Sequence, residues 1–310
     1  MGQGNRQTDV SPTTPITTGS QTDAIFRSVK DNFISPLIAA FKIEAINQDS
    51  TALVIKVNDI YDGTETSINN VFTNINLGTS TIKNLSRILS IKSFPNNVVA
   101  TSELTTKVTE GTTSVYVTVE VSSSILLLPE KPMTGRFDNQ KVGYFTNPLL
   151  SFSDAQQGTD KKQYITRWRM EPKPEDREAY LKGQTVEPIK PIVFYIDNST
   201  PYQWRSYIKK GIEDWQTAFE KAGFKNAIIA KEITDSMHVD MDDVNYSVLT
   251  YAASEKKNAM GPSLLDPRSG EILEADIMWW HNVLSMVREW ITVQTGTVFR
   301  KLAAYNYLIR

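Results

Sequence analysis

PIVFYIDNSTPYQWRSYIKKGIEDWQTAFEKAGFKNAIIA, residues 191–230, decides the fold of the second half of the chain. Its opening, Ile192-Val193-Phe194-Tyr195-Ile196, is a continuous apolar run of strand length rich in β-branched and aromatic residues, which predicts a buried strand. A helix follows. Thr200 supplies an N-cap oxygen, Pro201 suits the first helical position and Gln203 stands three residues after the cap. Ile208, Ile212, Trp215, Phe219 and Ala222 recur at alternating steps of four and three, which places one apolar stripe on one face. Gly223 provides the stop, and residues 227–230 read as the next strand.

Outward from this core, strands are predicted at 246–252, 259–265 and 271–279, with a turn at Asp266-Pro267 and Ser269-Gly270 between the last two. Between the strand at 227–230 and the one at 246–252 lies an acidic loop carrying Asp240, Asp242 and Asp243. A final helix spans about 281–293, with Val283, Leu284, Val287, Trp290 and Ile291 on its apolar side and Gly296 as a stop.

Upstream the pattern changes to period two. Val115, Val117, Val119 and Val121 alternate with Tyr116, Thr118 and Glu120, as a half-buried strand requires. Similar runs at 37–45, 52–57, 98–106 and 164–170 are separated by turn signals such as Asp62-Gly63 and Pro95-Asn96-Asn97. Residues 69–93 read as mixed. The fold class is α+β, and 310 residues suffice for two domains with a core each. The expected division is a flexible polar leader (1–32), a β-rich domain (33–170), a charged, proline-containing connector (171–190), a sheet-and-helix unit (191–296) and a divergent tail (297–310).

Composition excludes several chemistries. There is no cysteine and there are only two histidines, His238 and His281, so disulfides, thiol nucleophiles and three-histidine zinc sites cannot be built within these residues. A formal charge of −2 argues against a nucleic-acid partner. No window of about 18 apolar residues suggests a membrane span. Residues 1–23 contain no apolar core of a secretory signal, and the compartment stays open. No G-x-S-x-G, G-x-G-x-x-G or Walker A sequence occurs.

Several long stretches resemble zinc-dependent metallopeptidases of the metzincin type, and in particular the bacterial family whose peptidase domain follows a β-rich domain of unknown function. They are LLPEKPMTGRFDNQKVGYFT (127–146), YITRWRMEP (164–172), YIKKGIEDWQTAFEKAGF (207–224), DVNYSVLTYAAS (243–254) and MGPSLLDPRSGEILEADIMWWHNV (260–283). The resemblance implies a five-stranded sheet backed by the helix at 206–222. It also implies an edge strand at 259–265 that forms the upper rim of a cleft. Gly261, Ser263 and Leu264 would there meet an extended peptide by strand addition. Export to the bacterial envelope is implied as well.

The family's zinc segment, HExxHxxGxxH, occurs nowhere in these residues, and the likeness stops near Gly296. Resemblance therefore implies zinc-dependent peptide hydrolysis for the complete family, while this chain is expected to hold no cofactor, no metal ligand and no catalytic residue. It reads as a front fragment or remnant. The alternatives are a non-catalytic peptide-binding module and a peptidase completed by a partner chain. An unfinished core would expose Trp290 and Ile291 and favour self-association.

The remaining candidates read as structural. His281 suits a helix cap, His238 an acidic surface loop shared with Asp240, Asp242 and Asp243, and Glu289 a solvated charge. Trp279, Trp280 and Trp290 read as core, and 255–258 as an exposed loop.

Overall fold

The computed structural model describes residues 14–17, 24–32, 40–63, 71–74, 80–139, 141–155 and 157–294. The chain forms two units, Met1–Ile165 and Thr166–Arg310.

The first unit is β-rich. In chain order it contains strand β1 (Thr14–Thr17), helix α1 (Ala24–Asn32), β2 (Ile43–Ile46), β3 (Leu53–Ile55), short helices α2 (Asn58–Tyr61) and α3 (Val71–Asn74), then β4 (Arg87–Ser93), β5 (Asn97–Glu110), β6 (Thr113–Leu126), β7 (Thr146–Phe152) and β8 (Asp160–Ile165). β4, β5 and β6 form an antiparallel sheet, β2 pairs with β3, and β7 lies between parallel β1 and antiparallel β8. Ala100 and Leu104 of β5 are fully buried, and Ile60 and Tyr61 of α2 pack on Ala100. Two buried threonines of β5 satisfy their hydroxyls on backbone carbonyls: Thr105 Oγ1 donates to Leu85 O at 2.7 Å and Thr106 Oγ1 to Ser80 O at 2.6 Å. Gly135 is demanded by close approach, since a Cβ there would meet the Tyr164 ring at 2.6 Å.

The stretch expected as a polar leader is not featureless. Thr14–Thr17 pairs with residues 149–152, and the Ile25 amide donates to Asp154 Oδ1 at 3.1 Å. A partner more than a hundred residues away supplies the bonds that local composition does not suggest. The expected strand at 164–170 ends at Ile165, because Arg167 instead bridges to Glu271 within the second unit. Residues 37–39 of the first expected run (37–45) lie outside the described residues, as do 64–70 and 75–79.

The second unit begins with helix α4 (Arg177–Leu181), followed by β9 (Ile192–Ile196), α5 (Tyr202–Glu213), α6 (Gln216–Lys221), β10 (Ile228–Glu232), β11 (Ser247–Ala252), β12 (Ala259–Met260), β13 (Ser263–Asp266), β14 (Glu271–Ala275) and β15 (Ile277–Trp280). Residues 283–294 form helix α7. Five strands make one mixed sheet in the order β10-β9-β11-β15-β12, with all neighbours parallel except the antiparallel edge strand β12. Ile192, Phe194 and Ile196 alternate inward from β9 and meet Ile208 and Ile212 of α5, Ile228, Ala230 and Leu249. Each buried isoleucine contributes roughly 1.5–3 kcal/mol of transfer free energy.

Five expectations change in this unit, the first being that the strand expected over 271–279 breaks at Asp276 into β14 and β15, which belong to different sheets. The connector is part of the packed structure: Val186 is buried with Phe224 and Ala227, and Tyr180 stacks on Phe224 at 5.0 Å. Thr200 does not cap the helix, for Pro201 occupies the cap position and Thr200 is buried. The single helix expected over 200–222 breaks at 214–215 into α5 and α6. The predicted edge strand divides as well: residues 259–260 pair with β15, residues 263–266 with β14, and Gly261-Pro262 separates them.

Candidate functional site

The two edges of the five-stranded sheet are treated differently. Along β10, side chains of the helical layer cover the free amides. Gln216 Oε1 accepts from Ala227 N at 2.9 Å and Ile228 N at 3.3 Å, and Glu213 Oε1 accepts from Ala230 N at 3.2 Å. The break between α5 and α6 places Glu213 and Gln216 on either side of it to make these bonds. At the opposite edge, Ala259 and Met260 of β12 are exposed, and Gly261 beyond them is exposed too. The Ala259 amide donates to Oδ1 of the neighbouring Asn258 at 2.8 Å, and a strand edge without a pairing strand recruits further strands unless something blocks it.

Gly261 thus continues the open edge. Ser263 and Leu264 are placed in the β13–β14 ladder instead, half-buried and opposite Ala275 and Glu274. Asp276 joins the two ladders: its amide donates to Pro262 O at 2.9 Å and its Oδ1 accepts from Val248 N at 2.9 Å.

Beside the sheet lies an apolar channel of about 790 Å³. Phe194, Leu249 and Tyr251 line it from the strands, and Ile208, Ile212 and Trp215 from the helical layer. Trp215 is 66% exposed, and on α7 Trp290 is 59% and Ile291 43% exposed. Large apolar side chains left open in this number mark a surface that takes another group.

The carboxyl ends of the parallel strands carry a polar cluster that sequence reasoning missed. Ser199, just past β9, donates to Asp197 Oδ2 and lies 3.2 Å from Tyr251 O. The Tyr251 hydroxyl and His281 Nδ1 share a 2.7 Å hydrogen bond, and burial raises the Tyr251 pKa above its ordinary value. The available signal was positional. Polar residues that directly follow apolar parallel strands collect at one end of a sheet.

His281 is further fixed by its amide, which donates to Ala252 O at 2.9 Å. His238 is exposed on the acidic loop, where Asp240 Oδ1 accepts from the Asp242 amide and Asp243 Oδ1 from the Asn245 amide, both at 3.0 Å. Glu289 pairs with Lys257, and Lys256 Nζ lies 4.1 Å from the centre of the Trp280 ring. Trp280 is buried, whereas Trp279 borders the channel and Trp290 is exposed. Among the described residues, no three His, Asp or Glu side chains are grouped so as to hold a metal ion.

Residues 4–173 match the family described as Domain of unknown function (DUF5117). The chain belongs to this family. The DUF5117 match spans the β-rich unit and ends just beyond Met170, before β9 and the sheet that carries the channel and the open edge. No curated protein matches the chain, and no solved structure does. Among the described residues no helix is long and apolar enough to cross a membrane.

Proposed function

We propose that the second unit of this DUF5117 chain is the front portion of a metzincin-type metallopeptidase domain, which holds an extended peptide along its antiparallel edge and performs no hydrolysis by itself. The observation that carries this reading is the sheet: four parallel strands end in one short antiparallel strand whose outer side pairs with no strand among the described residues, while the opposite edge is covered by Gln216 and Glu213. A peptide added beside Ala259 would gain main-chain bonds by taking over the amide that Asn258 Oδ1 accepts at 2.8 Å. Gly261 continues that edge, and Ser263 and Leu264 would border it from the adjoining ladder.

Zinc chemistry does not fit the donors present. A hydrolytic zinc takes three protein ligands and an open position. This chain has two histidines, of which His281 is already engaged by Tyr251 through Nδ1, and the carboxylates of the His238 loop bond to backbone amides. No catalytic step is therefore assigned to these residues. The open apolar channel favours a related reading in which a further polypeptide segment, supplied by another chain, covers α5 and the sheet and brings the missing ligands.

A binding experiment tests the peptide-holding role. An extended, fluorescently labelled heptapeptide titrated into the chain should bind, and methylation of its alternate backbone nitrogens should weaken binding about tenfold by removing strand-addition bonds. Ala259→Pro, which removes the outward-facing amide of β12, should weaken it similarly. Equal affinity for the methylated peptide, or no binding, would overturn this role.

A further inference from the structure

In the first unit, β5 and β6 form an unbroken antiparallel ladder of fourteen pairs from Asn97↔Leu126 to Glu110↔Thr113. β5 is covered on both sides, by β4 and β6, whereas the outer side of β6 pairs with no strand among the described residues. Natural edge strands are blunted by lysine, proline, bulges or shortness. None of these devices is present in TSVYVTVEVSSSIL: it has no proline and no lysine, its register has no bulge, and Glu120 is its sole charge.

Its side chains are self-complementary. Val115, Val117, Val119 and Val121 share one face, where Val115 is 53% exposed, and Tyr116, Thr118 and Glu120 share the other, where Tyr116 is 64% exposed. Charges on the polar face are laid out asymmetrically. Glu120 stands opposite Glu103, which is already paired with Arg87 at 2.7 Å. Lys107 stands opposite Tyr116, with its Nζ 6.0 Å from the ring centre.

We propose that β6 is the interface for a second copy of this chain, paired antiparallel about a two-fold axis at Thr118 to give a continuous six-stranded sheet. About that axis Val117 faces Val119 of the second copy and Val115 faces Val121, so the valine stripe runs unbroken across the seam. Tyr116 faces Glu120, which brings each Glu120 carboxylate beside the Lys107 and Tyr116 of the opposite copy. Two such contacts form per dimer, and no like charges meet. This surface belongs to the first unit, whereas the channel and β12 belong to the second.

Sedimentation velocity of the full 310-residue chain over a concentration series tests the inference. The account expects a species of twice the 34.9 kDa chain mass. Glu120→Lys and Lys107→Glu, both at exposed positions, should each weaken association about tenfold, and the double exchange should restore it. Thr118→Pro is the independent block, and circular dichroism of each variant verifies that the fold is retained. A monomer at every concentration would overturn the proposal, as would a dimer indifferent to Glu120→Lys and Thr118→Pro, or single exchanges that the double exchange fails to rescue.

Discussion

Asp276 holds Val248. The carboxylate of the first, in the single residue between β14 and β15, accepts the amide of the second on β11 at 2.9 Å, while the Asp276 amide reaches back to Pro262 O. One residue, through its side chain and its amide, thus ties three segments together beside β12. Asp276→Ala should destabilise the chain by about 1–3 kcal/mol, the cost of leaving a half-buried amide unpaired, and Asp276→Asn, whose Oδ1 still accepts, by less. Chemical denaturation of both variants measures the difference.

Gln216 acts at the other edge, through its bonds to Ala227 and Ile228. Gln216→Ala should cost about 1–2 kcal/mol and raise hydrogen exchange at those two amides more than at residues 247–249 in the sheet interior. Uniform exchange along both strands would mean that Gln216 does not guard this edge.

Asp266 is fully buried, and burial alone would push its pKa up. The hydrogen bonds and charge of Arg268, whose Nη2 lies 2.7 Å from Oδ2, outweigh burial and hold the carboxyl below its ordinary value. Because the folded pKa is depressed, the stabilisation is present above the unfolded carboxylate value and is lost as pH falls through the folded one. Arg268→Ala should cost about 2 kcal/mol near neutrality, less than a fully buried pair because Arg268 is partly exposed, and should flatten the loss of stability in acid. Thermal melts across the acid range test the slope.

The channel should bind an apolar reporter in the native state. An anilinonaphthalene dye should brighten with the folded chain, and Trp215→Glu should lower its affinity several-fold while shifting stability by less than about 1 kcal/mol, since Trp215 is largely exposed. Unchanged dye affinity in a folded variant would remove Trp215 from the lining.

Much of the fold is legible locally. The inward alternation of β9, the stripe of Ile208 and Ile212 and the valines of β6 are written at the periods of strand and helix, since one face of each element is packed and the other is not. What stayed hidden depends on partners distant in sequence. Thr14–Thr17 is a strand because of residues 149–152, the 200–222 stripe is interrupted where Glu213 and Gln216 reach β10, and Val186 is anchored by Phe224. The candidate site was legible in part. Gly261, which the resemblance places on the rim strand, directly follows β12, whereas Pro262 breaks that strand and sends Ser263 and Leu264 into another ladder. The Ser199, Tyr251 and His281 cluster assembles only when three strand ends come together.

The proposed role of this chain is to present a peptide-holding edge without the chemistry to cut. Its most direct test is zinc content after dialysis of the purified 310-residue chain against zinc-free buffer, measured together with cleavage of the labelled heptapeptide. The proposed role predicts less than about a tenth of an equivalent of zinc and no cleavage, because among the described residues no three His, Asp or Glu side chains are grouped to hold a metal ion. One equivalent of retained zinc with peptide cleavage that a chelator abolishes would contradict it.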